Sequence, residues 1–194
     1  MKKSVYIFAA VLIAGLFTLQ PLSAQNTLSK KEERKLERQK KKAAKDKKAM
    51  DMRKTYDALL RNKHFVFEAQ KVFLPGGPYT TLDYSLNFLA VKGDKILIQL
   101  HFPGLTGSNG LGGFTARGKL ENWQYNPGKN IKQPMTASGQ VTPKGSGSRL
   151  VFTLFVNNDG SAELQVNLPN SSFRLTGNLV SIEQSNVLVG ASAF

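Results

Sequence analysis

The sequence has no cysteine and only two histidines. The absence of cysteine excludes disulfides, thiolate metal sites, a cysteine nucleophile and lipidation at a cysteine behind a cleaved leader. His64 and His101 are far apart in the chain and show no metal-site or triad spacing. The 8 Asp and Glu residues between Thr55 and Phe194 do not form a recognisable acid–base pair. We therefore predict no catalytic residue, no bound metal and no cofactor, and expect that the protein is not an enzyme.

Long apolar runs are also scarce, and the clearest one lies at the start of the chain. Lys2 and Lys3 precede a charge-free run from Val5 to Leu19, and small residues follow up to Ala24. The run is about 15 residues long, which is short of the ~20 that cross a bilayer, so a retained anchor is the weaker alternative. Residues 1–24 are predicted to be a signal peptide. We expect export to the periplasm, the outer membrane or the medium, and no nucleic-acid partner.

Acidic residues are few beside basic ones, and the imbalance is concentrated in one segment. The chain has 27 Lys and Arg against 13 Asp and Glu, a formal net charge of +14. Between Ser29 and Lys54 the count is 13 against 5, whereas from Thr55 onward it is 12 against 8. The charge therefore belongs mainly to residues 25–62, which we call the basic segment.

The basic segment has the composition of a helix. No Gly or Pro occurs between Leu28 and Asn62, and Ser29 followed by Glu32 is a capping box at the start. The apolar seam is thin as far as Met50 and broader from there to Leu60. We therefore expect a helix over Leu28–Asn62 whose last turns pack on the rest of the protein.

Clustered lysines in this helix are candidate contacts for an anionic surface. An exported protein meets lipid phosphates and lipopolysaccharide, which attract such a cluster electrostatically. The alternative is a solvated spacer helix with no specific partner. The candidate residues are Lys40, Lys41, Lys42, Lys45, Lys47 and Lys48.

From residue 63 to 194 the hydrophobic period changes from that of a helix to that of strands. Ten of the 12 Phe and the one Trp lie there, so we expect the core there as well. Alternation is clearest in the run Leu82, Tyr84, Leu86, Phe88, Ala90, and Gly93-Asp94 turns the chain back into Ile96–Phe102. Further strands are predicted over 64–74, 114–125 (one bent strand or two short ones), 135–142, 150–156, 162–168 and 172–182, with a short one possible in the tail from 186 to 194.

This pattern predicts a mainly β fold. Eight antiparallel strands with short connections and no intervening helices favour an up-and-down barrel, preceded by the long basic helix. A two-sheet β-sandwich is the alternative. The C-terminal Phe194 raises a further alternative, a small outer-membrane β-barrel, although aromatic girdles are missing from the strands.

Four segments of the β region resemble an exported Bacteroidetes family known as domain of unknown function 4251. They are Phe65–Ala69, the Leu82–Gly93 strand and turn, Ile96–Gly104 leading into a glycine-rich loop, and Leu150–Asn167. The resemblance extends over about Leu59 to Leu179. It implies a lipocalin-like small barrel and carries no functional residues, because the family has none assigned.

A barrel of this size is either filled by side chains or holds one small apolar ligand. We therefore predict a protein that binds such a ligand or an envelope component. The loop from Pro103 to Gly113 would lie beside the ligand, with the contacting residues His101, Phe102, Gly104 and Phe114. A structural protein whose basic helix contacts anionic lipid or lipopolysaccharide is the second interpretation.

Overall fold

A computed structural model describes residues 29–74, 77–102, 113–143, 149–168 and 171–187. The predicted signal peptide, the tip of the glycine-rich loop with Gly104, and the tail from residue 188 lie outside the described residues. The chain divides into two units, Met1–Gln39 and Lys40–Phe194.

The single helix of the described residues, α1, covers Lys30–Arg61. Its capping box is formed: the Ser29 N–H donates to Glu32 Oε2 at 2.9 Å, and the Glu32 N–H donates to Ser29 Oγ at 3.4 Å. The helix predicted from composition is therefore confirmed to within two residues at each end. Along the described part of the chain, no helix is both long enough and apolar enough to cross a membrane.

Ten strands follow within the described residues, and all of them pair antiparallel. Their bounds are β1 His64–Phe73, β2 Tyr79–Thr81, β3 Phe88–Lys92, β4 Lys95–His101, β5 Gly113–Lys119, β6 Glu121–Asn126, β7 Met135–Val141, β8 Leu150–Val156, β9 Ser161–Leu168 and β10 Ser171–Val180.

The strands form one sheet that nearly closes into a barrel. The order is β5-β4-β3-β1-β10-β9-β8-β7-β6, and β2 also pairs with β1. Because β6 follows β5 after the single residue Leu120, the two ends of the sheet meet at that residue. The predicted antiparallel barrel is confirmed. The strands do not form the two-sheet sandwich that was the alternative prediction.

The strand count differs from the predicted eight because the short strand β2 precedes the predicted 82–90 strand and because the predicted 114–125 strand is divided in two. β2 and β3 pair with opposite ends of β1 and together occupy one strand position. β5 and β6 are the two halves of the predicted 114–125 strand, and they bend at Leu120 to pair with β4 and β7 respectively.

The prediction that Leu82–Ala90 is one continuous strand was wrong. Asp83 to Asn87 form a turn, in which Asp83 Oδ1 accepts hydrogen bonds from the Ser85 N–H at 2.9 Å and the Ser85 hydroxyl at 2.7 Å. Asn87 completes the turn, since its side-chain amide donates to the Asp83 carbonyl at 2.9 Å. Only the second half, from Phe88, pairs with β4 in the predicted hairpin.

The barrel interior is filled by apolar side chains. Phe65, Phe67 and Ala69 of β1 point into it, as their alternation predicted. Trp123 packs between Phe65 and Phe152, with ring centroids 6.0 and 6.5 Å away. The interior is therefore a packed core in the region described.

A second, smaller apolar cluster covers part of the outside of the barrel. Val66, Phe88, Ala90 and Leu97 form it, and Val180, Ile182 and Val187 pack over them. Phe88 and Ala90 therefore face outward, and Leu89 and Val91 of the same strand face the core. Phe88 and Ala90 therefore do not share a face with Ile96 and Ile98, which lie in the core, and β3 is buried on both sides.

The segment after β10 is held on this outer cluster by polar contacts as well. His64 Nε2 and Glu183 Oε1 are 2.6 Å apart, and the Ser185 hydroxyl donates to Glu68 Oε1 at 2.7 Å. The hydrogen bond with His64 is the largest cause that lowers the pKa of Glu183 to about 2.

Candidate functional site

The last turns of α1 pack on one end of the barrel through a small set of residues, the helix anchor: Arg53, Tyr56, Asp57 and Leu60. Leu60 is fully buried in the core, and Tyr56 packs against it from the side. The other three members make polar contacts with loops and strands of the barrel. The helix is thereby fixed to the β domain over its last turns.

Arg53 binds three separate parts of the barrel. One guanidinium nitrogen donates to the Gln133 carbonyl at 2.9 Å and to Asn158 Oδ1, and the other donates to the Pro127 carbonyl. Asn158 is itself held, because its amide donates to the Ile131 carbonyl at 2.6 Å. A planar group with several fixed donors suits such a contact better than an ammonium.

Asp57 and Tyr125 connect the helix to β6. The Tyr125 hydroxyl and Arg61 Nε both donate to the Asp57 carboxylate, the latter at 2.7 Å, and the Arg61 guanidinium lies 5.2 Å from the Tyr125 ring centroid. Burial opposes the charge on Asp57, but these hydrogen bonds and the charges of Arg61 and Arg53 outweigh it and lower its pKa. Burial, together with the hydrogen bond to Asp57, raises the pKa of Tyr125.

Tyr56 lies across the turn between β8 and β9. Its hydroxyl donates to the Asp159 carbonyl at 3.3 Å, and its ring covers Gly160, which has φ +85°. A Cβ on Gly160 would be 2.3 Å from the Tyr56 hydroxyl. Glycine is therefore required there for both its conformation and the space it leaves.

The six predicted anion-contacting lysines all lie on the helix N-terminal to the anchor, and all are exposed. We call Lys40, Lys41, Lys42, Lys45, Lys47 and Lys48 the lysine cluster. Lys45 and Lys48 also line a cleft of about 370 Å³ beside Met52, Asn158 and Asp159. The cluster is thus attached to the barrel through the anchor that begins at Arg53.

The structure does not bring the predicted loop residues together in one site. His101 pairs with Gly113 and Leu100 pairs with Phe114, so the side chains of His101 and Phe114 lie on opposite faces of the sheet. The His101 imidazole is exposed, and its backbone N–H donates to Asn87 Oδ1 at 2.7 Å. Phe102 is buried against Phe173 with ring centroids 5.4 Å apart. Gly104 lies outside the described residues.

Comparison with known proteins identifies the family. The family model described as "Domain of unknown function (DUF4251)" matches residues 47–179. The chain belongs to this family. The Leu59–Leu179 resemblance found in the sequence ends at the same residue as the DUF4251 match and begins within it.

A solved structure from the DUF4251 family has the same fold. It is a DUF4251 family protein from Bacteroides eggerthii, with a TM-score of 0.58 and 24% identity, over 70% of this chain and 91% of that chain. No curated protein matches the chain. The DUF4251 match includes the helix anchor and all ten strands apart from the last residue of β10, and it leaves out most of the lysine cluster.

No group of three or more His, Asp or Glu residues is arranged to hold a metal ion in the part of the chain that the structure describes. The sequence reasoning missed Arg53 and Tyr125 as the residues that attach the helix. Arg53 binds backbone carbonyls and Asn158, and Tyr125 binds Asp57, and all of these partners are far away in the sequence. Such contacts produce no local sequence pattern. Only the broader apolar face from Met50 to Leu60 gave a signal for packing at this end.

Proposed function

We propose that this DUF4251 protein is a non-enzymatic, exported interaction protein whose lysine cluster binds anionic surfaces of the cell envelope. One observation carries the proposal: six exposed lysines lie within nine residues of a helix that is fixed to the barrel by its next turns. A rigidly attached cluster loses less freedom on binding than a loose tail with the same charge.

The packed interior of the barrel supports this proposal better than it supports binding of a small apolar ligand inside the barrel. Core positions that a ligand would occupy are filled by Phe65, Trp123 and Phe152. The outer-membrane alternative has less support as well. A membrane barrel has apolar side chains facing outward, whereas the outward positions of β9 and β10 carry Glu163, Gln165, Arg174 and Asn178.

The contact is expected to be electrostatic and superficial. Each Lys near an anionic lipid surface contributes about 1 kcal/mol at physiological ionic strength, and the attraction falls off within a Debye length. The lysine cluster points to more than one side of the helix and lacks a broad apolar face, so insertion into the acyl region is not part of the proposal.

The test compares two variants with the same change in charge. In the first, all six lysines of the cluster become Gln, which keeps helix propensity. In the second, six exposed lysines of the barrel become Gln: Lys71, Lys92, Lys95, Lys119, Lys129 and Lys132. Binding is measured by sedimentation with phosphatidylcholine vesicles, with vesicles that also contain phosphatidylglycerol, and with lipopolysaccharide aggregates, over a range of salt.

We expect the unchanged protein to bind the anionic preparations only, with an affinity that falls steeply as salt rises. The helix variant should lose at least about tenfold in affinity and the barrel variant much less. Equal losses in the two variants, or no binding by the unchanged protein at low salt, would refute the proposal. The two anionic preparations distinguish a lipid headgroup from lipopolysaccharide as the source of phosphate.

A further inference from the structure

A groove of about 580 Å³ lies on the outer face of the barrel, and no residue of the lysine cluster lines it. It crosses β8, β9, β10 and β1. The side chains that line it and carry the argument are Gln70, Asn157, Gln165 and Asn178, with Phe155 and Thr176 between them.

The groove is located where β1 is irregular. The register between β1 and β10 shifts between Ala69 and Lys71, so Gln70 is an extra residue in the strand. Gly177 lies opposite this bulge, and a Cβ there would be 1.9 Å from the Glu68 carbonyl oxygen. The bulge and the glycine let the two strands approach closely and bend the outer surface.

The groove exposes polar and apolar surface in similar amounts and has no net charge. Lys71 and Glu163 are its two charged residues, and they have opposite signs. Glu163 is also engaged by neighbours, because it accepts a hydrogen bond from Gln165 Nε2 at 3.0 Å and lies 3.7 Å from an Arg174 guanidinium nitrogen.

Four of the twelve residues that line the groove have amide side chains, and each of these side chains offers both donors and an acceptor. Gln70, Asn157 and Asn178 are exposed, and Gln165 is half-exposed. Four amides on one surface can bind a ligand whose groups also donate and accept, such as a chain of hydroxyls. The residues that line this groove in the described part of the chain include no cluster of like charges that would select an ion.

A second groove of about 300 Å³ adjoins the first and adds aromatic surface. Gln165 lines both grooves, and Phe73 and Arg174 line the second. The Arg174 guanidinium lies over the Phe73 ring, 4.2 Å from its centroid, and the Tyr79 ring centroid is 6.0 Å from that of Phe73. Aromatic rings next to amides provide an apolar face for the C–H side of a sugar ring.

We propose that these two grooves together bind a neutral oligosaccharide, with Gln165 at the centre of the site. Amides would bind its hydroxyls, and Phe155 would pack against the face of one of its rings. A peptide added as a strand is disfavoured, because β8, β9, β10 and β1 already pair on both sides in the sheet. Asn157 also lines the cleft beside Lys45 and Lys48, but no lysine of the cluster lines either groove, so the site does not depend on the anionic-surface proposal.

The experiment titrates ¹⁵N-labelled protein with four neutral linear hexasaccharides: maltohexaose, cellohexaose, mannohexaose and xylohexaose. The hexamer of galacturonic acid is the charged comparison. Gln165→Ala removes the central amide, and Gln124→Ala on β6 is the matched control, since Gln124 is exposed outside both grooves. Asn178→Ala is a second groove variant in case Gln165→Ala lowers the melting temperature.

We expect at least one neutral hexasaccharide to give saturable shifts of amide signals in the groove. Gln165→Ala or Asn178→Ala should raise its Kd about tenfold, and Gln124→Ala and the six-lysine helix variant should leave it unchanged. The proposal is overturned if none of the four sugars gives such shifts, if the groove variants bind as well as the control, or if the galacturonate hexamer binds more tightly than every neutral sugar.

Discussion

The Tyr125 hydroxyl donates a hydrogen bond to the Asp57 carboxylate, and this bond joins β6, at one end of the sheet, to the last turns of the helix. Burial and the adjacent carboxylate raise the pKa of Tyr125, so the phenol remains a neutral donor. Arg61 holds the other oxygen of Asp57 at 2.7 Å. Attachment of the helix therefore depends on a hydrogen-bonded group of three side chains.

Removing the Tyr125 hydroxyl tests the strength of this attachment. Tyr125→Phe should lower the free energy of unfolding by about 1–3 kcal/mol, because a charge-assisted hydrogen bond is lost and Asp57 keeps its burial. Tyr79→Phe is the control, since the Tyr79 side chain is 52% exposed. Urea unfolding followed by circular dichroism gives both values, and equal small losses would contradict the assigned role.

The charge on Asp57 makes the same attachment dependent on pH. The folded protein holds the pKa of Asp57 below its ordinary value of 3.8, so the carboxylate contributes stability above pH 3.8, and that contribution is lost as pH falls through the folded-state pKa. Asp57→Asn keeps an acceptor for Tyr125 but removes the charge. The stability difference between the two proteins should be constant from about pH 7 to pH 5 and should shrink below about pH 4. A difference that does not change with pH would contradict the pKa shift.

Alanine substitutions at two glycines with positive φ can distinguish the cost of backbone strain from the cost of a steric clash. Gly93 has φ +59° and open space where a Cβ would lie, whereas Gly160 has φ +85° and the Tyr56 ring in that space. Gly93→Ala should cost about 1–2 kcal/mol of stability from the left-handed conformation alone. Gly160→Ala should cost clearly more, and the added loss should disappear in a Tyr56→Ala background. Similar costs for the two alanines would show that Tyr56 does not restrict this turn.

Arg53→Lys keeps the charge of the helix anchor and removes its planar arrangement of donors. An ammonium cannot reach the Pro127, Gln133 and Asn158 oxygens together, so we expect a loss of about 1–3 kcal/mol. Amide hydrogen exchange should rise from Met52 to Leu60 while the central strands keep their protection. Lys54→Arg, one residue away on the exposed side, is the control. Unchanged exchange in the helix would contradict the anchoring role.

Local patterns were sufficient to predict the helix and most strands. The capping box at Ser29 and the absence of Gly and Pro predicted α1, and turn residues such as Asn158-Asp159-Gly160 separated β8 from β9 at the observed position. These features depend on residues a few positions apart. The eight predicted strand positions also correspond to the observed barrel once the breaks at Asp83–Asn87 and Leu120 are taken into account.

Local sequence patterns could not predict which side of each strand faces the core or how the helix is attached to the barrel. Phe88–Val91 are apolar without interruption, so alternation could not identify which side of β3 faces the core. The Asp83-Tyr84-Ser85 sequence did carry an Asx-turn signal, which the regular alternation of Leu82, Tyr84 and Leu86 obscured. Arg53 contacts carbonyls more than seventy residues away, and the outer groove combines four separate strands.

The pairing of β1 with β10 has a consequence for biogenesis. Val66 at the start of the β domain pairs with Val180. Such distant pairing slows folding, because the two ends of a long chain segment must come together before the contact forms. One edge of β1, the first strand to be synthesised in the described part of the chain, can be covered only after β10, the last strand there, has been made.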